Sequence, residues 1–284
     1  MKHLKRIPVF FSLLLIIGLV ACKSSQPNSA ANDTLNQAQA AIVQADQIAK
    51  QLDLRTKTNP TSAVRDFIPY IEEKKQRVKK ISDELNVLIA SDKKASKSQR
   101  TANDARIQEL ATELKQITFE LGLIDKSMAK ELDVTLKADV LFATGSAKLS
   151  SEGKEAIARL ISADIKALID NWNTDPFLKE KEKLVKLYIN GYADKQGVRD
   201  DRKRQTSNTE LSRERAASVE GIIREQLEQL KANYPIAVEI SPEGHGEALP
   251  PGVEDNGKSN DPRRRICMVS AYVIPRLQVI SQRE

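Results

Sequence analysis

Two ionised side chains stand where a folded chain presents groups to a ligand. Asp194 follows the apolar run Leu184 to Ile189, which reads as a strand ending at Gly191, and lies in a turn that Gly197 helps to close. Arg215 sits about two turns into a helix whose start is marked by Ser207-Asn208-Thr209-Glu210, a sequence that fits a capping box. The N-terminus of such a helix adds free N–H groups and positive potential. A carboxylate and a guanidinium held close together suit a molecule with an ammonium and a carboxylate on one carbon. Taken singly, each residue has a plainer reading: Asp194 as a turn residue, Arg215 as a solvated helix residue, Asn208 as a cap.

Other chemistries lack their parts. The 284 residues include two histidines, His3 and His245, and two cysteines, Cys22 and Cys267. Zinc-hydrolase and Cys–His peptidase chemistry therefore want ligands or a base, and no carboxylate-pair glycosidase motif stands out. We expect no enzyme, metal or cofactor. His245 reads as a structural loop residue. Cys267, in the apolar run Ile266 to Val269, reads as a buried structural thiol. A net charge of +6 without a recognition motif does not point to nucleic acid. Ten-residue alternating strands with aromatic girdles, as in a membrane barrel, are missing.

The chain begins with a targeting pattern. Lys2, Lys5 and Arg6 precede an apolar run, Val9 to Val20, of signal-peptide rather than membrane-span length. Leu19-Val20-Ala21-Cys22 resembles the bacterial lipobox. Ala21 meets the small-residue requirement before cleavage, and Cys22 is then the site of lipidation, palmitate included. An uncleaved N-terminal anchor is the plainer alternative. Lys23, where Asp would signal inner-membrane retention, resembles the sorting pattern for the outer membrane. The implied organisation is a signal peptide (1–21), a lipidated tether (22–30), a helical segment (31–130), a second domain (131–276) and a tail (277–284).

The helical segment carries three apolar stripes. Leu35, Ala38, Ile42, Ala45, Ile48 and Leu52 form the first, before a break at Thr56 to Pro60. Val64, Ile68, Ile71, Val78, Leu85 and Leu88, with Lys75 in the gap, mark a helix from about Thr61 to Ala90. Ser91 to Arg100 reads as a loop. Ile107, Leu110, Leu114, Ile117, Leu121 and Ile124 form a nearly strict four-three seam. Such seams are buried in a hairpin or bundle within the chain, in a coiled coil between chains, or in the groove of an envelope partner.

From about Leu132 the periodicity changes. Val134 to Phe142, Leu184 to Ile189, Ile236 to Ile240 and Arg264 to Ile274 read as strands. One helix has the face Ile157, Leu160, Ile161, Ile165 and Leu168; the other, ending near Lys231, has Ala216, Val219, Ile223, Leu227 and Leu230. The order β-α-β-α-β-β implies an α+β domain with a small mixed sheet and helices on one face, with a core separate from the helical segment.

Five pieces in this order resemble the OmpA-like peptidoglycan-binding domains of the Pal, OmpA C-terminal and MotB type, over about half the chain. They are Phe142 to Leu149, Gly191 to Gly197, Asn208 to Ala216, Glu243 to Glu247, and Arg263 to Ile266. The resemblance implies a peptidoglycan-binding site made of Asp194, Arg215, Asn208, Thr144 and Leu211, with the diaminopimelate of the stem peptide as ligand. Asp194 would take the ammonium and Arg215 a carboxylate. Arg264 and Arg265 match a terminal arginine pair read mainly as scaffold.

Ala143 stands where the family often has Asp. Tyr192-Ala193 replaces the common His-Thr, and Arg263 replaces an asparagine. The charged stretch Val198 to Ser207 is longer than usual; it suits contact with the glycan, a partial cover of the site, or a solvated insertion. The expected function is a non-catalytic lipoprotein that tethers the outer membrane to the cell wall from the periplasmic side. The alternative is an envelope scaffold whose helical segment recruits another protein or self-associates, with weak or lost wall binding.

Overall fold

The computed structural model describes residues 29–92, 94–143, 146–195 and 201–276, with side chains of the last stretch from residue 207 onward. The expected signal peptide, Cys22, the tether up to residue 28, Thr144 and the tail from residue 277 lie outside the described residues.

Three long helices, α1 (Ser29–Thr58), α2 (Phe67–Asp92) and α3 (Lys97–Ala129), each pack on the other two. The apolar stripes are thus buried within one chain, and the α3 seam from Ile107 to Ile124 is buried throughout. Ser96 caps α3 in a reciprocal box with Gln99, so the loop expected to reach Arg100 ends four residues earlier. The α2 stripe needs correction at two places. A 3-10 turn, Ala63–Asp66, precedes the helix and leaves Ile68 exposed. The charge inside the stripe is Lys74, not Lys75. Lys74 pairs with buried Glu120 at 2.7 Å, while Lys75 reaches Asp46 across the surface. A lysine buried in a bundle keeps its charge only beside such a partner. No helix among the described residues is long and apolar enough to cross a membrane.

The second half has the expected α+β order. Strand β1 (Leu132–Lys137) is followed by a one-turn helix α4 (Ala138–Leu141). Then come α5 (Ser151–Arg159), a π turn (Leu160–Ile165), α6 (Lys166–Asn173), β2 (Lys183–Gly191), α7 (Asp201–Lys231), β3 (Ile236–Gly244) and β4 (Ile266–Pro275). The mixed sheet runs β1-β4-β2-β3, antiparallel except for β2 with β3. The first strand ends at Lys137 rather than Phe142, because residues 138–141 turn helical and bury Ala138 and Leu141. The π turn adds a residue to one helical turn, so the inward face shifts: Ile169 and Trp172 are buried and Leu168 is only half-buried. The helix α7 begins at Asp201, seven residues before Asn208, so the expected capping box at 207–210 lies inside a helix.

Both sheet faces are covered. Val185, Leu187 and Ile189, with Val269, Ala271 and Val273, form one face, against the apolar sides of α5–α6 and α7. The other face carries Lys186, Tyr188, Ser270 and Tyr272, and the α1–α2 connector lies on it. Phe67 packs on Tyr272 (ring centroids 4.7 Å apart), Arg65 sits 4.4 Å above the Tyr188 ring, and Asp66 accepts a hydrogen bond from the Tyr188 hydroxyl at 2.8 Å. The expectation of helices on one face with a separate core is therefore corrected. One apolar cluster runs from Ala31 to Ile274. Polar strand residues supplied no periodic sign that a segment more than a hundred residues away would cover them.

A shared core should unfold as a unit. Leu114→Ala removes a fully buried seam side chain and should cost about 2–5 kcal/mol. Trp172, the sole tryptophan, reports from the sheet side of the core. Its fluorescence transition in urea should move together with the far-ultraviolet helix signal. A shift in the helix signal alone would show two independent cores.

Candidate functional site

The residues singled out by type gather at one end of the sheet, where β2 and β3 finish and β4 begins. Two glycines bring α7 there. A Cβ on Gly191 would lie 2.2 Å from the Ser212 carbonyl oxygen, and one on Gly244 would lie 2.5 Å from the Arg213 nitrogen. Backbone therefore rests on backbone, and α7 crosses the strand ends at the level of Arg215. Ser212, fully buried, accepts from the Gly246 N–H at 2.9 Å and fixes the loop after β3.

Asp194 and Arg215 are buried, at 7% and 5% exposure. The Arg215 Nε donates to the Ser146 carbonyl at 3.0 Å, and the guanidinium lies 5.3 Å from the Phe142 ring centre. Burial pulls the Arg215 pKa down; Cys267, Asp194 and Asp139 oppose that, and Arg265 adds to it. The guanidinium remains a cation, held in a poorly solvated place that favours an incoming anion. Arg265 Nε stands 3.6 Å from Asp194 Oδ2, and its NH2 stands 3.3 Å from Asp139 Oδ2. Two guanidinium groups and two carboxylates thus share one small region.

Asn208 joins the parts. Its side-chain NH₂ donates to the Asp194 carbonyl and to Glu247 Oε1, both at 2.9 Å. Arg264, 1% exposed, donates to the Glu247 carbonyl at 2.7 Å and faces Asp255 at 2.9 Å. The Gly257 N–H and Arg264 hold the Asp255 carboxyl down at about 2. Cys267 is free and fully buried beneath Arg215, and burial pushes its thiol up to about 12.

Behind Asp194 the strand end meets the α1–α2 connector. Tyr192 stacks on His245 (4.8 Å, 17°), and His245 Nε2 is 2.7 Å from Asn190 Oδ1. Glu243 lies 3.7 Å from the same ring nitrogen and pairs with Arg65 of the connector at 3.1 Å.

The structure thus brings Asp194, Arg215 and Asn208 together, with Leu211 half-buried one turn before Arg215. Thr144 is outside the described residues. Asn208 ties helix to turn from mid-helix and is not a cap. Arg264 sits among scaffold contacts, as read. Arg265 and Asp139 were not singled out for the site, yet both reach it; the family pattern drew attention to Ala143 and away from the carboxylate four residues earlier. Of the charged stretch, residues 201–206 open α7 and 198–200 lie outside the described residues.

No family model matches the chain, and no curated protein does. Solved structures similar to it include a MotB-like protein from Desulfovibrio vulgaris, at 18% identity and a TM-score of 0.34 over 50% of this chain and 72% of that one. The OmpA-like domain of FopA1 from Francisella tularensis is similar at 21% identity and 0.29, over 51% and 73%. The periplasmic domain of Helicobacter pylori MotB is similar at 14% and 0.29, over 53% and 77%. At this level of likeness nothing follows about a ligand.

His245 gives the site a pH signature. Burial lowers its pKa below 6.5; Arg65 lowers it further and Glu243 opposes. Well above pH 6.5 the ring is neutral in both folded and unfolded chain and stability is unaffected. As pH falls from there through the folded pKa, the unfolded chain takes up the proton first and stability is lost. The melting temperature should therefore drop as the pH falls below about 7, and less so in His245→Gln. Equal drops in both proteins would assign the effect to other groups.

Proposed function

We propose that this chain is a non-catalytic cell-envelope lipoprotein that binds peptidoglycan non-covalently through diaminopimelate. In this reading it tethers the outer membrane to the wall from the periplasmic side. One observation carries the binding: buried Asp194 and buried Arg215 lie with Arg265 and Asp139 where the end of β2 meets α7. The far end of a diaminopimelate side chain bears an ammonium and a carboxylate on one carbon. Asp194 takes the ammonium and Arg215 the carboxylate in a planar two-bond fork. The five-piece motif pattern supports the same assignment.

The binding step needs no bond made or broken. Asn208 holds the Asp194 turn against α7, and the Ser146 carbonyl and the Phe142 ring lie against the Arg215 guanidinium. Arg265 stands against both Asp194 and Asp139, at 3.6 and 3.3 Å. Thr144 and Leu211 complete the rim on the family pattern. At the other end of the chain, acylation of Cys22 supplies the anchor, and the helical bundle separates anchor from site.

Losing one charge-assisted hydrogen bond of about 1.5–3 kcal/mol should weaken binding roughly ten- to a hundredfold. Sedimentation with purified peptidoglycan should show this for Asp194→Asn, which keeps the shape, and for Arg215→Lys, which keeps the charge but not the fork. A stem peptide with lysine in place of diaminopimelate should bind less well by calorimetry. Wild-type affinity in both variants would place the site elsewhere. Metabolic palmitate labelling should mark wild type and not Cys22→Ser; equal labelling would remove the anchor from this reading.

A further inference from the structure

The far tip of the helical bundle has features that neither the sheet domain nor the binding site uses. The Lys75–Asp46 pair fixes the antiparallel register of α1 and α2, and at equal rise it sets Ser29 level with Asp92. Arg77–Glu113 and Arg106–Glu84 fix α2 against α3 and bring the α3 start to the same level. The α2–α3 loop and the start of α1 therefore share one end of the bundle. The opposite end meets the sheet, through Arg55–Glu131 and the Ser127 hydroxyl on the Val273 carbonyl. A 30-residue helix separates the two ends by about 45 Å.

That tip is basic and open. Lys94, Lys97 and Arg100 are all exposed; the acids near this end are half-buried Asp92, 3.9 Å from Arg100, and exposed Asp33 and Asp104, each about a turn further along α1 and α3. Beside Lys94 lies a shallow recess of about 430 Å³, lined by Ala90, Ser91, Lys94, Ala95, Gln99 and Asn103. Val87, 67% exposed, stands slightly more than one turn below the end of α2. Cys22 precedes Ser29 by seven residues, which span at most about 25 Å when extended.

We propose that this tip binds an anionic phospholipid surface, with Lys94, Lys97 and Arg100 against the headgroup phosphates and the recess accepting one of them. The inference rests on the reading of Cys22 as a lipid anchor only for its orientation: a chain held within about 25 Å of the bilayer presents this end to it. The sheet domain and its site then point away from the membrane, the direction in which a wall-bound ligand lies.

The test uses the unacylated chain from residue 23 onward, which contains every described residue, so its outcome does not depend on Cys22. In flotation assays it should bind vesicles of phosphatidylcholine with phosphatidylglycerol and not phosphatidylcholine alone, and added salt should release it. Each cation near the surface is worth roughly fivefold in affinity. The triple variant Lys94→Glu, Lys97→Glu, Arg100→Glu should thus bind at least a hundredfold more weakly. The control Lys79→Glu, Lys80→Glu, Lys115→Glu makes the same charge change on exposed positions along the bundle and should bind as wild type does. Circular dichroism of both variants checks that the bundle is intact. Absence of binding to anionic vesicles, or equal loss in the two triple variants, would overturn the proposal. Failure of palmitate labelling at Cys22 would remove the anchor while leaving this measurement to stand by itself.

Discussion

The carboxylate of Glu131 joins the two halves of the chain. Its side chain, 3% exposed, lies between the end of α3 and the start of β1. One oxygen accepts from the Ser62 hydroxyl at 2.6 Å, the Ser270 hydroxyl at 2.9 Å and the Val64 N–H at 3.3 Å; the other faces Arg55 at 3.2 Å. An ion taken out of water requires nearly all of its hydrogen-bonding capacity to be met by protein. Here the donors come from α1, from the connector and from β4, so the charge is satisfied only when all three are in place. The Ala63 N–H donates onward to the Ser270 hydroxyl at 2.8 Å. The connector is thereby set against the sheet.

The rest of the second sheet face follows. With the connector in position, Asp66 serves both the Tyr188 hydroxyl and the Lys186 ammonium, and Arg65 reaches Glu243. These groups would otherwise stand on an open sheet face in water. Their arrangement continues through Glu243 and His245 to Tyr192, two residues before Asp194, so the back of this turn is joined to the helical half. The front of the turn is held by Asn208 of α7. Asp194 is thus placed by contacts from both sides, and its carboxylate geometry depends on tertiary structure well beyond its local turn.

Charges of both signs meet at the site. Arg215 comes from α7, Arg265 from the residue before β4, Asp139 from α4 and Asp194 from the loop after β2. Because these groups are partly removed from water, an added ammonium or carboxylate interacts with them more strongly than at an exposed surface. Shape comes from glycine: without the bare backbone at Gly191 and Gly244, α7 could not approach closely enough to put Arg215 beside the β2 end.

Sequence alone was enough for the elements whose burial repeats with the helix or strand period. The α3 seam, the inner stripe of α7 and the order β-α-β-α-β-β all rest on apolar side chains that must leave water, and that need is written locally. The strand end that carries Asp194 was legible as well, but the early helix position read for Arg215 was not, since α7 starts at Asp201 and Arg215 lies about four turns in. Other features were decided only by the fold. The π turn moved the inward face from Leu168 to Ile169, since one extra residue in a turn leaves no mark on composition. The stretch Val198 to Ser207 has a single apolar residue and hence no periodic signal, so the true start of α7 was invisible. Lys74 rather than Lys75 lies inside the bundle because Glu120 waits there, on a helix more than forty residues away. Arg265 and Asp139 reached the site, and the connector covered the sheet, through polar contacts between residues far apart in the chain. Hydrogen bonds and ion pairs of that kind have no period, and only the assembled structure selects which partners meet.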